Sequence, residues 1–391
     1  MKNINLFIDL IKLIIAKCLS PMFKIVRSNR EVWLIGERKS EAKDNGYHLF
    51  KYVRENYPDK KVYYVISKGS SDWEKVYSLG NVVVYDSLKH YILYVLSTKL
   101  VCAHLGSCVP DSPICWKFYE RDVRNKKKVF IQHGITKELI PSLVYESTKC
   151  DLFICGGKPE YEFVKSTFGY PEGFVQYTGF ARFDNLHEHE TKEQILVMPT
   201  WRHWIPSASW NSGDIEKCRE TFLQSDYYAR YNSLINSPKI LELLEKYNLE
   251  LIFYPHYEMQ GYIDLFSASS SRVTIARKEN YDVQQLLKES KILITDYSSI
   301  AFDFAYMRKV VLYYQFDEDA YYKNHYQKGY FDYKEHGFGP VVKDLIEVEM
   351  CLAKVLAGIN DGLYKERSCV FFEKYDNRNC ERIFNEIICI K

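Results

Sequence analysis

The sequence lacks most of the features that mark specialised classes of protein. Its 391 residues carry a formal net charge of only +2, which is too small to favour nucleic acid as the main partner. Its eleven cysteines are an odd, dispersed number without a Cys-x-x-Cys pair, which argues against a disulfide framework and against the common zinc motifs. We therefore expect a reduced, cytosolic protein that holds no metal and does not bind nucleic acid.

Long uncharged apolar runs are also lacking. The first 23 residues are rich in isoleucine and leucine, but Asp9, Lys12 and Lys17 interrupt them and no small-residue cleavage site follows. This composition fits neither a spanning helix nor a signal peptide, and it predicts that residues 1–23 form an amphipathic helix lying in a membrane interface. Three basic residues that follow can meet anionic headgroups: Lys24, Arg27 and Arg30. The alternative is a helix docked on the core of the protein itself.

What is present is a regular alternation of short β-rich runs with longer amphipathic segments. This pattern predicts parallel strands joined by crossover helices, which is the α/β class. The first series of predicted strands covers residues 32–36, 62–67, 82–85, 100–104, 129–133, 152–155 and 175–178. The second series covers residues 195–200, 251–254, 273–276, 292–295 and 310–314. At this length, with 47% hydrophobic residues, two domains are expected.

The polar stretch 187–193 separates the two series of strands. We interpret it as the linker between two doubly wound, Rossmann-like domains that cover residues 24–186 and 187–391. In open α/β sheets, ligands bind beyond the carboxyl ends of the strands. The cleft between the two domains is therefore the expected active site.

Several of the predicted strands end in groups suited to phosphate chemistry. His133 and His256 each end an apolar run, and the run 292–295 leads into Asp296-Tyr-Ser-Ser299 at the start of a predicted helix. Helix N-termini offer N–H groups to anions. Two imidazoles that exchange protons near neutral pH, beside a hydroxyl-rich helix start, favour transfer of a phosphorylated group.

An ordered set of motifs between about residues 100 and 345 carries a resemblance to a known family. The motifs are Gln132-His133-Gly134-Ile135-Thr136-Lys137, Pro199-Thr200-Trp201-Arg202, Pro255-His256, Thr295-Asp296-Tyr297-Ser298-Ser299, Gln315-Phe-Asp317 and Gly339-Pro340. Together they resemble the CDP-glycerol glycerophosphotransferases of teichoic acid synthesis, which include polyol-phosphate transferases of capsules. The chain departs from this family where it has Pro255-His256 instead of His-Pro and Val310 instead of Pro.

The resemblance implies a GT-B fold, in which two Rossmann-like domains face each other across a cleft, with a membrane-associated N-terminal helix. It also implies a single catalytic module that transfers glycerol phosphate from CDP-glycerol to a hydroxyl of a lipid-linked acceptor. CMP is released, and neither a metal nor another cofactor is required. Such an enzyme works peripherally at the cytoplasmic face of the cell membrane. Three alternatives stay open: CDP-glycerol or CDP-ribitol, a glycan or polyol-phosphate acceptor, and single addition or polymerisation.

The two histidines are the candidate catalytic residues. His133, in the N-terminal acceptor-side domain, is the candidate base that takes the proton of the attacking hydroxyl; the alternative is a satisfied imidazole at a strand end. The following Gly134 lets the backbone approach the substrates closely. His256 is the candidate donor of a hydrogen bond to the phosphoryl oxygens or to the leaving CMP, and its alternative is a solvent-facing turn residue.

The candidate donor-binding residues lie in the C-terminal domain. Ser298 and Ser299 offer hydroxyl and N–H groups to the diphosphate, with capping of the helix by Ser298 and Asp296 as the alternative. Arg202 presents a planar fork that matches phosphate oxygens, although an ion pair is an equally common use of arginine. Three further candidates are Thr200 beside Arg202, Asp303 one helical turn after Ser299, and Asp317 at a strand end.

Two other classes of function remain alongside the phosphotransferase. A GT-B glycosyltransferase that uses a nucleotide-activated sugar shares the fold, but it releases a nucleoside diphosphate instead of CMP. A polymer-binding subunit without catalytic activity has no need of two histidines, an arginine and a serine pair at strand ends. The phosphotransferase is the leading hypothesis for this reason.

Overall fold

The computed structural model describes residues 2–26, 31–121, 126–188, 190–206, 214–324, 328–359 and 362–390, with side chains in the first helix described for residues 7–20. The chain divides into two compact units. Unit 1 comprises Met1–Thr136, Ile140–Asn185 and Lys374–Lys391. Unit 2 comprises Lys137–Leu139 and Leu186–Glu373.

Unit 1 is built on a parallel sheet. Its strands are β1 (Val32–Gly36), β2 (Lys61–Ile66), β3 (Val82–Val84), β4 (Lys99–Cys102), β5 (Lys127–Phe130), β6 (Leu152–Cys155) and β7 (Val175–Tyr177). They lie side by side in the order β3-β2-β1-β4-β5-β6-β7, and every pairing is parallel. All four residues of β4 and of β6 are buried, as expected for strands covered on both faces.

Unit 2 contains a second parallel sheet. Its strands are β8 (Gln194–Val197), β9 (Glu250–Phe253), β10 (Val273–Ile275), β11 (Ile292–Thr295), β12 (Val310–Tyr314) and β13 (Val341–Val342). Their order is β10-β9-β8-β11-β12-β13, again with parallel pairing throughout. The carboxyl ends of β9, β8, β11 and β12 therefore lie next to one another at one edge of this sheet.

Helices connect most of the strands. The α-helices are α1 (Lys2–Val26), α2 (Asn45–Asn56), α3 (Trp73–Tyr77), α4 (Leu88–Leu96), α5 (Pro113–Arg121), α6 (Tyr145–Thr148), α7 (Lys158–Thr167), α8 (Ile215–Leu223), α9 (Asp226–Ile235), α10 (Pro238–Lys246), α11 (Val283–Glu289), α12 (Ile300–Tyr306), α13 (Glu318–Asn324), α14 (Tyr333–His336), α15 (Leu345–Leu356), α16 (Gly362–Phe371) and α17 (Asn379–Cys389). The 3-10 helices are η1 (Pro141–Leu143), η2 (Ala181–Asn185) and η3 (Tyr257–Leu265). Side chains of Ser or Asp cap many N-termini, as Ser87 caps α4 and Ser237 caps α10.

All twelve predicted strands are present, and four of them have the predicted bounds: β1, β6, β11 and β12. The sequence missed β13, since two valines are too short a run to give a periodic pattern. Strand β5 ends at Phe130, three residues before His133. His133 therefore lies in the loop that follows the strand and is not part of the strand itself.

Helix α1 packs against unit 1 through one of its faces. Leu13 and Ala16 are buried in the core formed with α4. Lys12 donates to the carbonyl oxygen of Asp86 at 3.0 Å, and Asp9 accepts a hydrogen bond from Tyr91 at 2.9 Å. Several apolar side chains of the same helix are nevertheless exposed: Phe7, Ile8, Leu10, Ile11, Ile14 and Ile15. The helix is docked on the protein and still presents apolar side chains to its surroundings.

The basic residues predicted to follow this helix are only partly described. The helix continues beyond residue 23 and includes Lys24. Arg27 and Arg30 lie outside the described residues. Within the described ranges, no helix combines the length and the apolar character needed to cross a bilayer.

The contacts of the last helix depart from the predicted domain range 187–391. The segment Lys374–Lys391 belongs to unit 1, because α17 packs there. Asp184 accepts hydrogen bonds from the backbone N–H groups of Asn379 and Cys380, each at 2.8 Å. Within the predicted linker, His187 is part-buried and lies 2.9 Å from the hydroxyl of Tyr306, so the polar stretch is not simply solvated.

Candidate active site

The loop after β5 presents His133 at the surface of unit 1. Its Nδ1 atom lies 3.1 Å from the carbonyl oxygen of Ala103, which follows the neighbouring strand β4. A carbonyl oxygen only accepts hydrogen bonds, so Nδ1 carries the proton of the neutral ring and Nε2 carries the lone pair. This tautomer is the one that a general base needs.

The surrounding protein also sets the protonation of His133. Partial removal of the ring from water lowers the pKa of His133, although the residue is still exposed on one side. Asp44 and the Ala103 carbonyl act in the opposite direction, and Arg38 and Arg182 lower it further. The net shift is downward, so the imidazole stays neutral and able to accept a proton at neutral pH.

A second imidazole lies directly against the first. The ring of His104 stacks on the ring of His133 with 4.2 Å between centroids and an angle of 10° between planes. Neither nitrogen of His104 is accessible to solvent or has a hydrogen-bond partner among the described residues. Burial, helped by His133 and Arg38, lowers the pKa of His104 to about 2. His104 is therefore neutral at any physiological pH.

The loop that carries His133 is held by buried polar contacts. Gln132 has a φ of 57°, a left-handed conformation that is rare for a residue other than glycine. Its carbonyl oxygen accepts a bond from the side chain of Asn45 at 2.8 Å, and the same amide group donates to Ile131 at 3.1 Å. Strained backbone of this kind persists where surrounding contacts fix it, and it is concentrated at functional sites. The left-handed position falls on Gln132, one residue before His133, whereas Gly134 is not among the residues with positive φ.

A buried carboxylate braces the same loop from α7. Glu160 accepts hydrogen bonds from the backbone of Thr136 at 2.6 Å, the side chain of Gln132 at 3.0 Å and the backbone of Gly156 at 2.7 Å. Burial raises the pKa of Glu160 to about 7, and the hydrogen bonds only partly offset this effect. The sequence analysis missed both Glu160 and His104, since neither lies in the motifs of the resemblance.

In unit 2, the ends of four adjacent strands bring the predicted donor-side residues together. Thr200 and Arg202 follow β8, His256 follows β9, Asp296 follows β11, and Asp317 follows β12. These strands are neighbours in the sheet. Arg202 and Asp317, for example, are 115 positions apart in the sequence.

Arg202 lies at the centre of this group and is fully buried. Its Nε and Nη2 atoms bind both carboxylate oxygens of Asp317, at 2.7 and 3.1 Å. Nη1 is 2.8 Å from a carboxylate oxygen of Asp296 and donates to the carbonyl oxygen of Thr200 at 2.7 Å. Burial lowers the pKa of Arg202, but the two carboxylates outweigh burial and raise it above its ordinary value. The planar fork that the sequence analysis offered to phosphate is thus engaged by carboxylates of the protein.

Asp296 is the second centre of this network. One carboxylate oxygen accepts the backbone N–H groups of Thr200 at 2.8 Å and Tyr297 at 2.6 Å. The other accepts the hydroxyl of Tyr231 at 3.1 Å. Asp296 is fully buried, so it ties the loops after β8 and β11 to each other and has no exposed surface of its own.

Two kinds of hydroxyl lie around this buried network. The Oγ1 atom of Thr200 is buried and has no hydrogen-bond partner within the described part of the chain, which is uncommon for a native polar group. Ser298 and Ser299 are half-buried in the turn before α12. Ser298 Oγ accepts the backbone N–H of Ile300 at 3.5 Å, and Asp296 accepts that of Tyr297 at 2.6 Å, which are contacts of the kind that the capping alternative expects. Ser299 makes no capping bond with its side chain. Asp303 is buried within α12.

His256 occupies the turn after β9 and begins η3. Its Nδ1 atom accepts the backbone N–H of Glu258 at 3.3 Å, so Nδ1 carries the lone pair and Nε2 carries the proton. This tautomer is opposite to that of His133. The ring of Trp201 lies nearly parallel to that of His256, with 6.3 Å between centroids. His256 is therefore a hydrogen-bond donor at Nε2, as its predicted role requires.

Among the described residues, no group of three or more His, Cys, Asp or Glu side chains is arranged to hold a metal ion. The cysteines of these ranges are all free thiols, and six of them are buried: Cys102, Cys108, Cys115, Cys150, Cys155 and Cys380. In unit 2, the carboxylates of Asp296 and Asp317 are paired with the guanidinium of Arg202.

The sequence profile of the family described as CDP-Glycerol:Poly(glycerophosphate) glycerophosphotransferase matches residues 20–389. The chain belongs to this family. It is 35% identical over 382 residues to the minor teichoic acid biosynthesis protein GgaB of Bacillus subtilis strain 168, covering 96% of this chain and 42% of GgaB. It is 31% identical over 264 residues to the teichoic acid glycerol-phosphate transferase of Staphylococcus aureus strain NCTC 8325, covering 61% of each protein.

The fold of this glycerophosphotransferase family member is similar to a solved structure. A structure of the wall teichoic acid polymerase TagF matches with a TM-score of 0.65 at 16% identity, covering 98% of this chain and 97% of that chain. This likeness concerns the fold alone. The chain spans about half the length of the curated relatives that it matches.

Proposed function

We propose that this chain transfers glycerol phosphate from CDP-glycerol to a hydroxyl of a polyol-phosphate acceptor in the synthesis of a teichoic acid. The observation that carries the proposal is the hydrogen bond of 3.1 Å between Nδ1 of His133 and the carbonyl of Ala103. It fixes the tautomer that leaves Nε2 to take a proton. Membership of the glycerophosphotransferase family supports the choice of donor.

The proposed reaction is a displacement at phosphorus. The acceptor oxygen attacks the β-phosphorus of CDP-glycerol, which bears the glycerol, and its proton passes to Nε2 of His133. The bond between the β-phosphorus and the bridging oxygen breaks, and CMP leaves with that oxygen. His256 donates from Nε2 to phosphoryl oxygens on which negative charge builds up during the displacement.

For the donor, we propose a binding surface around Thr200, Ser298 and Ser299. The unpartnered Oγ1 of Thr200 and the two half-buried serines supply polar contacts to the diphosphate. Arg202 and Asp317 do not contact the donor in this proposal; they hold the loops that carry these groups. Asp303 and Gly134 remain candidate donor-binding residues because of their positions in the sequence. We further propose a GT-B arrangement, in which a cleft brings His133 to a donor held by unit 2.

A membrane location is proposed on the basis of α1. Its exposed apolar side chains include Phe7, 63% exposed, and Ile14, 50% exposed. A cavity of about 480 Å³ beside this helix is lined by Leu13, Lys17, Tyr94, Val95, Phe118, Arg121 and Lys126, which include three cations and no carboxylate. An apolar surface next to cations suits an anionic membrane. We propose peripheral binding at the cytoplasmic face, where lipid-linked acceptors, including glycans, are presented.

A donor screen tests the proposed reaction. Purified protein is incubated with CDP-glycerol, CDP-ribitol or a nucleotide sugar, and with either a polyol-phosphate or a lipid-linked glycan acceptor. We expect release of CMP and an acceptor heavier by one or more glycerol phosphate units. Ribitol phosphate addition would change the donor assignment, and release of a nucleoside diphosphate from a sugar donor would support the glycosyltransferase instead. A parallel arm with a chelator tests the expectation that no metal is needed.

The membrane proposal has its own test. Because Leu13 and Ala16 belong to the core, the test uses a Phe7→Ser, Ile14→Ser double variant and keeps the helix itself. We expect weaker cosedimentation with anionic vesicles and unchanged unfolding. A Tyr77→Ser variant, which alters an apolar side chain that is 60% exposed elsewhere on unit 1, is the control. Equal vesicle binding by all three proteins would remove the role of α1.

A further inference from the structure

His104 lies outside every motif discussed so far, yet it has the closest described ring contact with the candidate base. It follows β4, whereas His133 follows β5, and these strands pair in parallel with Cys102 opposite Phe130. The pairing brings the two loops side by side. The rings stack with 4.2 Å between centroids and 10° between planes, so the contact uses the faces of the rings and not their edges.

We infer that His104 is a positioning residue for His133, whose ring it holds by stacking against one face. The inference rests on the proposed function of His133 as the base. The bond from Nδ1 to the Ala103 carbonyl fixes one edge of the His133 ring, but a single hydrogen bond leaves the ring able to rotate about it. Stacking on His104 fixes the plane of the ring. The hydrogen bond and the stack together fix the direction in which the lone pair of Nε2 points.

The unpartnered nitrogens of His104 show which part of its ring is used. Both are inaccessible and lack a described partner, and a buried polar group without a partner destabilises the fold. His104 is therefore not placed there to strengthen the fold. Since its edge makes no described hydrogen bond, its contribution to the site comes from its aromatic face.

The stack also keeps water away from one face of His133. Water favours the charged form of an imidazole, so excluding water favours the neutral base. Other groups act on His133 from the elements around it: Asp44 favours its protonation, and Arg38 and Arg182 oppose it. A substitution at position 104 leaves the identity of these three residues unchanged. The effect of the stack can thus be separated from theirs by substitution at position 104.

Two substitutions separate the ring face from the polar edge. His104→Phe keeps an aromatic face and removes both nitrogens, whereas His104→Gln keeps polar atoms and removes the ring. We expect the Phe variant to retain turnover within about threefold and to be at least as stable as the wild type. We expect the Gln variant to lose turnover about tenfold, because small displacements of a catalytic group are costly. The affinity for CDP-glycerol should not change in either variant.

The pH dependence supplies a readout that a merely structural role would not move. In the Gln variant, water also reaches the face of the His133 ring that His104 covers, so the pKa of His133 rises and turnover begins to fall at a higher pH on the acid side. In the Phe variant this pH stays unchanged. Titration of the His133 Cε1 proton by NMR should show the same order. This titration does not depend on activity, so it still reports on the stack if the protein releases no CMP and the proposed reaction is wrong. Wild-type behaviour of the Gln variant, or equal losses in both variants, would overturn the inference.

Discussion

The two units place different kinds of charge at the carboxyl ends of their sheets. In unit 1, the polar groups around His133 titrate near or below neutrality, since burial lowers the pKa of both stacked imidazoles and raises the pKa of Glu160 to about 7. In unit 2, the residue after β8 is different in kind: Arg202 is a permanent cation locked between Asp296 and Asp317. Unit 1 thus contains groups that can gain or lose a proton near neutral pH, whereas the charges of Arg202, Asp296 and Asp317 in unit 2 are fixed by pairing.

This difference matches the two tasks of the proposed phosphoryl transfer. A base must change its charge during the reaction, so its surroundings must tolerate both forms. A diphosphate site must present the same geometry before and after the reaction, so rigid ion pairs suit it. The opposite tautomers of His133 and His256 follow the same division, with an acceptor nitrogen in unit 1 and a donor nitrogen in unit 2.

The largest expected effect concerns the buried ion pairs of Arg202 with Asp296 and Asp317. Arg202→Gln leaves Asp296 and Asp317 without their cation, and removing one partner of a buried ion pair costs roughly 3–5 kcal/mol. We expect a loss of this size in the free energy of unfolding of unit 2, measured by denaturant titration without substrate. Arg219→Gln is the control, because its pair with Asp264 is exposed and is worth less than about 1 kcal/mol. Similar losses in the two variants would refute the structural importance of the buried pair.

The next effect concerns the two histidines. His133→Ala should lower turnover by about 100-fold and leave affinity for CDP-glycerol unchanged, because the proposed donor site lies in unit 2. His256→Ala should weaken both, since it removes a donor to oxygens that are charged before the reaction begins. Calorimetry gives the affinity, CMP release gives the turnover, and unfolding curves check the fold. A folded His133→Ala protein with normal turnover would remove the proposed base.

A smaller effect is expected at Thr200. Thr200→Val removes the hydroxyl that has no described partner, so stability should be kept while donor affinity falls about fivefold, the value of one hydrogen bond. Thr295→Val is the matched control, because its hydroxyl donates to the carbonyl of Met198 at 2.7 Å. That variant should lose about 1 kcal/mol of stability. Unchanged donor affinity in Thr200→Val would separate Thr200 from the donor site.

The smallest effect is a pH dependence of stability that differs between the units. In unit 1, burial lowers the pKa of His90 to about 4 and that of His104 to about 2, so the unfolded chain binds these protons first and stability falls as the pH drops below about 6.5. Burial raises the pKa of Glu37 and Glu160 to about 7. The folded chain therefore binds these two protons first, and their contribution to stability increases as the pH falls from about 7 to about 4.5.

The two contributions therefore largely cancel down to about pH 4.5. Below that pH the unfolded chain also protonates its glutamates, and only the loss caused by the histidines remains. We expect hydrogen exchange of unit 1 amides to report a nearly flat stability from pH 7 to about pH 4.5 and a steep fall below it. Unit 2 should change less over the same range. A steep loss in unit 1 already between pH 7 and pH 5 would contradict the raised pKa values of Glu37 and Glu160.

The sequence predicted the sheets better than it predicted the site. Buried parallel strands give continuous apolar runs, so all twelve longer strands were found, and residues at their ends were found with them. The partners of Arg202 were not predictable as partners, because Asp317 is 115 residues away and only strand order brings it close. The stack of His104 on His133 escaped for the same reason. Local pattern identifies which residues stand at strand ends, and tertiary packing decides what each of them touches.

The return of α17 to unit 1 has a consequence for how the protein is made. Lys99, at the centre of the first sheet, is buried and donates to the carbonyl oxygen of Ile387 at 2.7 Å, across 288 residues. Trp33 of β1 contacts Phe384, with 5.7 Å between ring centroids. A ribosome synthesises the strands of unit 1 first, but their final packing has to wait for residues near the end of this sequence. Unit 2 ends at Glu373, before α17, so unit 1 becomes complete only after unit 2 has been synthesised.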